Sequence, residues 1–384
     1  MIRTSDIFYK FFRSRIFRSV YKMFKILPLK KDRVLFISDS CSELNGNLKF
    51  VYNEMLKRKL NFEYRFLLKQ SIETRKSYKE ILVLAYLIAT SKFILLDDFY
   101  PMIYPLKIRK RSELIQLWHA VGAFKKFGYS RVGSQGGPLP NSKNHRNYTK
   151  VIVSSENVAQ HYAEGFGIEI KNVLGTGIPR TDIFFDEDYR TSVINKFYSE
   201  YPYLRNKKVI TFAPTFRGRG QSTAYYPMEM LNIKSLYNEL KDDYILLVKF
   251  HPFIKEKIII PNKYKDFCFD FTFYENINDL LFISDILITD YSSVCFEFAL
   301  LNKPMLFFAF DLEEYIHNRG FYYDYQTFVP GPIVRNTDEV IKRILDRDFD
   351  YEKLESFIDY FFDHLDGKSS ARVVDQIILE KKLD

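Results

Sequence analysis

The sequence predicts an α/β protein of two doubly wound domains, each a parallel sheet wrapped by crossover helices, with a cleft between them. Three observations carry this. Short apolar runs such as "RVLFIS", "YILLV" and "DILIT" recur along the chain, separated by stretches of helical period, as buried parallel strands joined by helices require. The runs fall into two series divided by the turn-rich "GTGIPRTD". At 384 residues the chain is long enough for two ordinary domains, and 47% hydrophobic with 27% charged residues is a globular rather than a disordered balance.

The first element is an amphipathic helix over residues 1–30. Between Met1 and Arg33 ten Lys or Arg stand against two Asp, a net charge of +8 in a chain whose total is +9. At ~100° per residue, Phe8, Phe12, Ile16, Val20, Met23 and Leu27 share one face, with Lys10, Arg18, Lys22 and Lys25 on the other. Such a helix lies on an anionic membrane surface, where each basic residue contributes roughly 1 kcal/mol. The same pattern also suits a helix packed on its domain with a solvated basic rim. Nucleic acid is disfavoured as a partner, because the interleaved residues sit at helical spacing and are not isolated stacking aromatics. Lys10, Arg13, Arg15 and Arg18 interrupt any secretory signal, and the later run "ILVLAYLIAT" is too short to span a bilayer. Three scattered cysteines, Cys41, Cys268 and Cys295, form neither a disulfide framework nor a zinc site. A peripheral protein in a reducing compartment fits.

The first α/β domain, residues 31–190, reads as strands "RVLFIS", "FEYRFLL", "FILLDD", "ELIQLWHA" and "KVIVSSE", with helices at "NGNLKFVYNEMLKRK" and "SYKEILVLAYLIATS". The second, residues 191–384, reads as strands "KVITFAPT", "YILLVKFHP", "DILITDYSS" and "KPMLFFAFD", followed by terminal helices. In doubly wound sheets ligands gather at the carboxyl ends of strands. Those ends carry Trp118 and His119 in the first domain, and Thr215, Arg217, Lys249, His251 and Asp290 to Ser293 in the second. Ser292 or Ser293 can cap the following helix, whose amino end is suited to a phosphate. Glu297 lies one turn further in among apolar residues, and burying it requires a cation, a hydroxyl or a ribose. A structural reading stays open, with Ser292 capping a core helix and Glu297 paired to an arginine. The carboxylates do not cluster at ligand spacing, so neither a metal nor a cofactor is expected.

The motifs "LWHAVGAFKKFG", "GIPRTD", "ITFAPTFRG", "KFHPF", "ITDYSSVCFEFALLNKP", "DLEEY" with "RGFYYDY", "PGPIV" and "DGKSSARVVDQI" follow one another in that order. In wording and order they resemble the CDP-glycerol glycerophosphotransferase family of teichoic acid synthesis, over roughly residues 33–380. The resemblance implies a GT-B architecture of two Rossmann-like domains at the cytoplasmic face of the membrane. It implies transfer of polyol phosphate from CDP-glycerol or CDP-ribitol to a lipid-linked saccharide, with CMP released. Glycerol phosphate is the favoured polyol phosphate and ribitol phosphate the alternative. By resemblance His119 is the base for the acceptor hydroxyl, a task suited to a group titrating near ~6.5, and His251 contacts the donor pyrophosphate. Thr215, Arg217, Lys249, Ser292 and Ser293 then belong to the donor site, with Arg219 able to serve in place of Arg217, and Glu297 holds the cytidine ribose. The sequence departs from the family at Ala120-Val121, where Gly-Thr often follows the Trp-His pair, which bears on the acceptor pocket. It carries no large additional N-terminal domain and so resembles the shorter members, among them priming enzymes. A GT-B glycosyltransferase would use the same cleft but release a nucleoside diphosphate. A binding protein on an inactive scaffold would leave His119 and His251 dispensable.

Overall fold

The computed structural model of the chain describes residues 4–69, 75–134, 136–218 and 220–381; Arg219, the alternative to Arg217, lies outside them. The first sheet comprises β1 (Lys30–Ser38), β2 (Glu63–Leu68), β3 (Ser91–Leu96), β4 (Glu113–Gln116), β5 (Lys150–Ile152) and β6 (Val173–Leu174). They pair in the order β2-β1-β3-β4-β5-β6, all parallel. The second sheet comprises β7 (Lys208–Phe212), β8 (Tyr244–Val248), β9 (Cys268–Asp270), β10 (Ile286–Thr289), β11 (Met305–Phe308) and β12 (Ile333–Val334). Its order is β12-β11-β10-β7-β8-β9, again all parallel. Central strands have both faces covered, which is why they read as unbroken apolar runs: Val34 to Ile37 and Ile94 to Leu96 are fully buried. The helix Tyr78–Thr90 begins at a capping box in which Ser77 Oγ accepts from Glu80 N and Glu80 accepts from Ser77 N.

The two-sheet α/β architecture expected from the sequence is present. Each sheet reverses its winding direction once, between β1 and β3 in the first and between β7 and β10 in the second. Crevices at the carboxyl ends of such neighbouring strands are where open α/β sheets bind ligands. Strands β6, β9 and β12 went unread in the sequence. Each sits at a sheet edge and has two or three residues, too few for a pattern; parallel pairing to a neighbour defines them.

The described residues up to Asp182, joined by those from Asp366 onward, form one compact unit, and Ile183–Leu365 forms the other. The closing segment, read from the sequence with residues 191–384, therefore packs in the first unit. Asp182 accepts from Ser369 N and Ser370 N at 2.8 Å each, Arg372 Nε donates to Thr176 O at 2.9 Å, and Arg58 pairs with Asp375 at 2.7 Å. Contacts so distant in sequence leave no local signal.

The N-terminal segment is helical over Thr4–Phe11 and Phe17–Phe24, with a π-turn over Phe12–Ile16 between them. Phe17 and Tyr21 are buried against the first unit, and Phe24 meets Tyr86 edge-on at 5.5 Å. Ile7, Phe8, Phe11, Met23, Ile26 and Leu27 remain exposed. The single apolar face plotted at constant period is thus split. A π-turn holds more residues per turn and shifts the phase, so one side docks while a second apolar side faces out. Among the described residues no helix is long and apolar enough to cross a membrane.

Candidate functional site

In the first unit the carboxyl ends of β1, β3 and β4 bring together Ser38 to Ser40, Asp97, Asp98 and His119. His119 Nδ1 lies 3.3 Å from Asp98 Oδ1, and the ring is 55% exposed, so its other nitrogen is accessible. Asp98 also accepts from Ser40 Oγ and from Phe99 N, each at 2.6 Å. Burial alone would raise the Asp98 carboxyl; the His119, Ser40 and Phe99 hydrogen bonds outweigh it and hold it down at about 2. An ionised Asp98 fixes the proton of neutral His119 on Nδ1 and leaves Nε2 as an acceptor. Burial pushes the adjacent Asp97 up to about 6, against a hydrogen bond from Ser38 Oγ at 3.1 Å. Between about pH 2 and 6 these neighbouring carboxylates take different charge states, Asp98 ionised and Asp97 protonated, and above that range both are anions.

The backbone under His119 is strained and clamped. Trp118 has φ of +54°, the left-handed region that costs a non-glycine residue about 1–3 kcal/mol. Gln116 Oε1 accepts from Trp118 N at 2.9 Å, and Asn47 Nδ2 donates to Leu117 O and Trp118 O at 3.0 and 2.7 Å. Arg180, from the "GIPRTD" turn, donates to His119 O at 2.8 Å, while its own N–H donates to Asn47 Oδ1 at 3.0 Å. The Trp118 and His119 rings lie 4.3 Å apart. His145 is buried, bonds Tyr148 Oη at 2.9 Å, and is lowered to about 4 by burial.

In the second unit the turn after β10 is organised around Asp290. Its carboxylate is fully buried and accepts from Thr215 N at 2.7 Å and Arg217 Nη1 at 2.9 Å. Arg217 also donates to Thr215 O at 2.6 Å and, through Nε and Nη2, to Asp311 at 2.6 and 2.9 Å. Burial alone would lower Arg217, but Asp290 and Asp311 override it and raise the guanidinium. Four of its five N–H groups are therefore committed inside the protein, and Tyr226, Tyr291, Phe310 and Tyr315 surround it at 5.1–5.4 Å. Arg217, expected in the donor site, ties strand ends together in this structure through acidic partners 73 and 94 residues away.

Lys249 follows β8, is buried, and donates to Thr272 O at 2.7 Å; burial lowers its ammonium, with Asp270 opposing. Two residues on, His251 Nδ1 accepts from Phe253 N at 3.1 Å, with the Phe216 and Phe253 rings at 4.8 and 4.5 Å. That bond puts the neutral ring's proton on Nε2, the opposite tautomer to His119. Ser292 Oγ accepts from Val294 N at a long 3.4 Å, and Ser293 precedes the helix Val294–Ala299 without a side-chain cap. The helix has six residues, so its dipole is small, and Glu297 is buried within it. Thr215 is buried beside Asp290. Asp98, Asn47, Asp311 and Arg180 were not singled out in the sequence. The doubled Asp at the end of "FILLDD" was the available signal for Asp98, and the motifs "GIPRTD" and "DLEEY" carry Arg180 and Asp311.

Comparison with known proteins identifies the family and the fold. Residues 19–379 match the family model described as CDP-Glycerol:Poly(glycerophosphate) glycerophosphotransferase. The chain is 56% identical over 380 residues to a teichoic acid poly(ribitol-phosphate) polymerase of Bacillus spizizenii, covering 99% of the chain but 61% of that relative's length. It is 44% identical to the teichoic acid ribitol-phosphate polymerase TarK of Staphylococcus aureus, over 94% of the chain and 71% of the relative. Identity to a teichoic acid glycerol-phosphate primase of Bacillus subtilis is 35%, over 76% of the chain and 74% of the relative. The solved wall teichoic acid polymerase TagF shares the fold with a TM-score of 0.75 at 24% identity, covering 95% of this chain and 94% of that one.

Proposed function

We propose that this chain, which belongs to the CDP-glycerol:poly(glycerophosphate) glycerophosphotransferase family, transfers ribitol phosphate from a CDP-activated donor to a hydroxyl of a lipid-linked teichoic acid acceptor. Ribitol replaces the glycerol favoured from the sequence, because the relatives of higher identity are named for ribitol phosphate and the glycerol-phosphate relative is more distant. The observation that carries the chemistry is the pair of histidines held in opposite tautomers, one an acceptor at Nε2 and the other a donor.

The acceptor hydroxyl oxygen attacks the phosphorus that bears the ribitol. The bond from that phosphorus to the bridging oxygen breaks, and CMP departs with the bonding pair. The hydroxyl proton passes to His119 Nε2, and Asp98 stabilises the imidazolium that forms. His251 Nε2–H and the Lys249 ammonium serve as donors to the pyrophosphate oxygens, with Ser292 and Ser293 hydroxyls beside them and Glu297 on the ribose. Arg217 holds Thr215 and Asp290 in place and is a positioning residue. The lipid-linked acceptor puts the reaction at the cytoplasmic membrane face, and the exposed apolar side of the N-terminal segment with its basic residues supports peripheral contact there.

Parallel incubation with CDP-ribitol and CDP-glycerol, a short-chain lipid acceptor, and measurement of CMP and product mass tests this. Faster turnover of CDP-ribitol is expected. A preference for CDP-glycerol would overturn the choice of polyol, and release of a nucleoside diphosphate would replace phosphotransfer with glycosyl transfer.

A further inference from the structure

The N-terminal segment runs along the first sheet from one edge to the other. Near its start Tyr9 Oη donates to Lys76 O at 2.8 Å, and Lys76 pairs with Asp39, just beyond the carboxyl end of β1. At its far end Tyr21 Oη and Lys25 Nζ donate to Lys107 O at 2.9 and 3.2 Å, and Arg109 Nη1 donates to Leu27 O at 2.8 Å. The stretch "KIRKRS" leads into the first residue of β4, so this latch lies at the amino edge of the sheet. His119 lies at the other edge. The six residues of β3 separate the two by on the order of 20 Å.

The latch encloses a cavity of about 470 Å³ lined by Lys25, Leu29, Lys31, Arg109, Lys110 and Arg111. Five of these six are basic and none is acidic. Among the described residues none of the five forms an ion pair, and the side-chain bonds of Lys25 and Arg109 go to backbone carbonyls. Positive charges gathered without a carboxylate repel one another, and an anion seated among them removes that repulsion. Soluble phosphate would satisfy the charge alone. The rim carries a second feature: Ile26 is 85% exposed and Met23 55% exposed, in the last turn before the cavity. Apolar side chains presented beside clustered bases match the boundary of a bilayer, where phosphates and acyl chains meet.

We propose that this cavity is a headgroup site for an anionic phospholipid. The lipid phosphate sits among Lys25, Lys31, Arg109, Lys110 and Arg111, and Met23 and Ile26 enter the acyl region. At the other end of the segment Phe8 and Phe11, each about half exposed, touch the same surface, so the segment lies flat and brings the His119 edge of the sheet to the membrane. This deepens the peripheral-membrane part of the reading above and rests on it.

The test is cosedimentation of the full chain with phosphatidylcholine vesicles with and without phosphatidylglycerol at physiological ionic strength. The side chains of Lys110 and Arg111 are exposed and make no hydrogen bond or ion pair among the described residues, so K110Q/R111Q leaves the fold intact. At a factor of about 5 per basic residue, this variant should partition to the anionic vesicles roughly 30-fold more weakly. The charge-matched K234Q/K342Q, on exposed helix positions of the second unit, should change by less than about 2-fold. Turnover on a short-chain acceptor should be the same in all three proteins. Equal losses in the two variants, or no loss in K110Q/R111Q, overturns the site. Release of the wild type by inorganic phosphate at constant ionic strength reassigns the cavity to a soluble anion and also overturns it. Failure of the wild type to bind either vesicle defeats the peripheral-membrane reading itself, an outcome distinct from the others.

Discussion

Replacing Asp98 with asparagine keeps the side-chain shape and removes its charge. In the wild type the carboxyl falls from 3.8 to about 2, a preference for the ionised form on the order of 2 kcal/mol, which the His119, Ser40 and Phe99 donors supply against burial. Part of that preference is returned as stabilisation of the His119 imidazolium in the transition state. The amide also offers an N–H to His119 Nδ1, which favours the tautomer protonated at Nε2 and unable to accept the acceptor's proton. Because the His119 ring is 55% exposed, water competes, and the loss should fall short of the ~10⁴-fold measured in a buried triad. We expect D98N to lower kcat by on the order of 100-fold, about 2.7 kcal/mol, with donor KM unchanged. CMP release at saturating acceptor should be followed for D98N, H119A and the double variant. If Asp98 acts through His119, D98N/H119A is no slower than H119A alone within about 2-fold. Near-normal turnover in D98N, or losses that multiply in the double variant, would refute the dyad.

Three further outcomes follow from the same geometry. Arg217→Lys cannot reach Asp290 and Asp311 together and leaves a buried carboxylate poorly paired, so urea unfolding should show a loss of about 3 kcal/mol; unchanged stability with weakened donor binding would make Arg217 a phosphate ligand after all. His251→Ala removes a donor held at Nε2, so CDP-ribitol affinity and kcat should both fall, by ~10-fold or more in kcat/KM; wild-type affinity in calorimetry would place the pyrophosphate elsewhere. Asp97 titrates near 3.8 unfolded and about 6 folded, so its contribution is fully present below about pH 3.8 and is lost as pH rises through about 6, where the buried charge costs on the order of 3 kcal/mol. Asp97→Asn should therefore unfold at higher urea than the wild type at about pH 8, with the advantage vanishing near pH 4; an advantage equal at both pH values would deny the penalty.

The central strands were legible because burial on both faces demands unbroken apolar runs, and Val34 to Ile37 and Ile94 to Leu96 supply them. The strand-end residues His119, His251 and Ser292 were legible because ordered motifs carry them past the point where those runs stop. Asp98 was not, because nothing local distinguishes it from Asp97. One carboxylate is held near 2 by a histidine 21 residues on and the other is pushed up to about 6 by burial. Arg217 shows the same limit from the other side. A guanidinium after a strand reads as a phosphate ligand until the positions of Asp290 and Asp311 are known.

The sequence by itself determined the α/β class, the two series of parallel strands, the family and the strand-end positions of His119 and His251, since periodicity and motif order are properties of neighbouring residues. The tertiary structure decided the tautomer of each histidine, the charge state of each aspartate, the unit to which the closing segment belongs, and which side of the N-terminal segment stays exposed. All of these depend on groups brought within hydrogen-bond or packing distance by folding. Which ring nitrogen carries the proton depends on whether an acceptor or a donor lies about 3 Å away, and for His119 that partner, Asp98, is 21 residues distant in sequence.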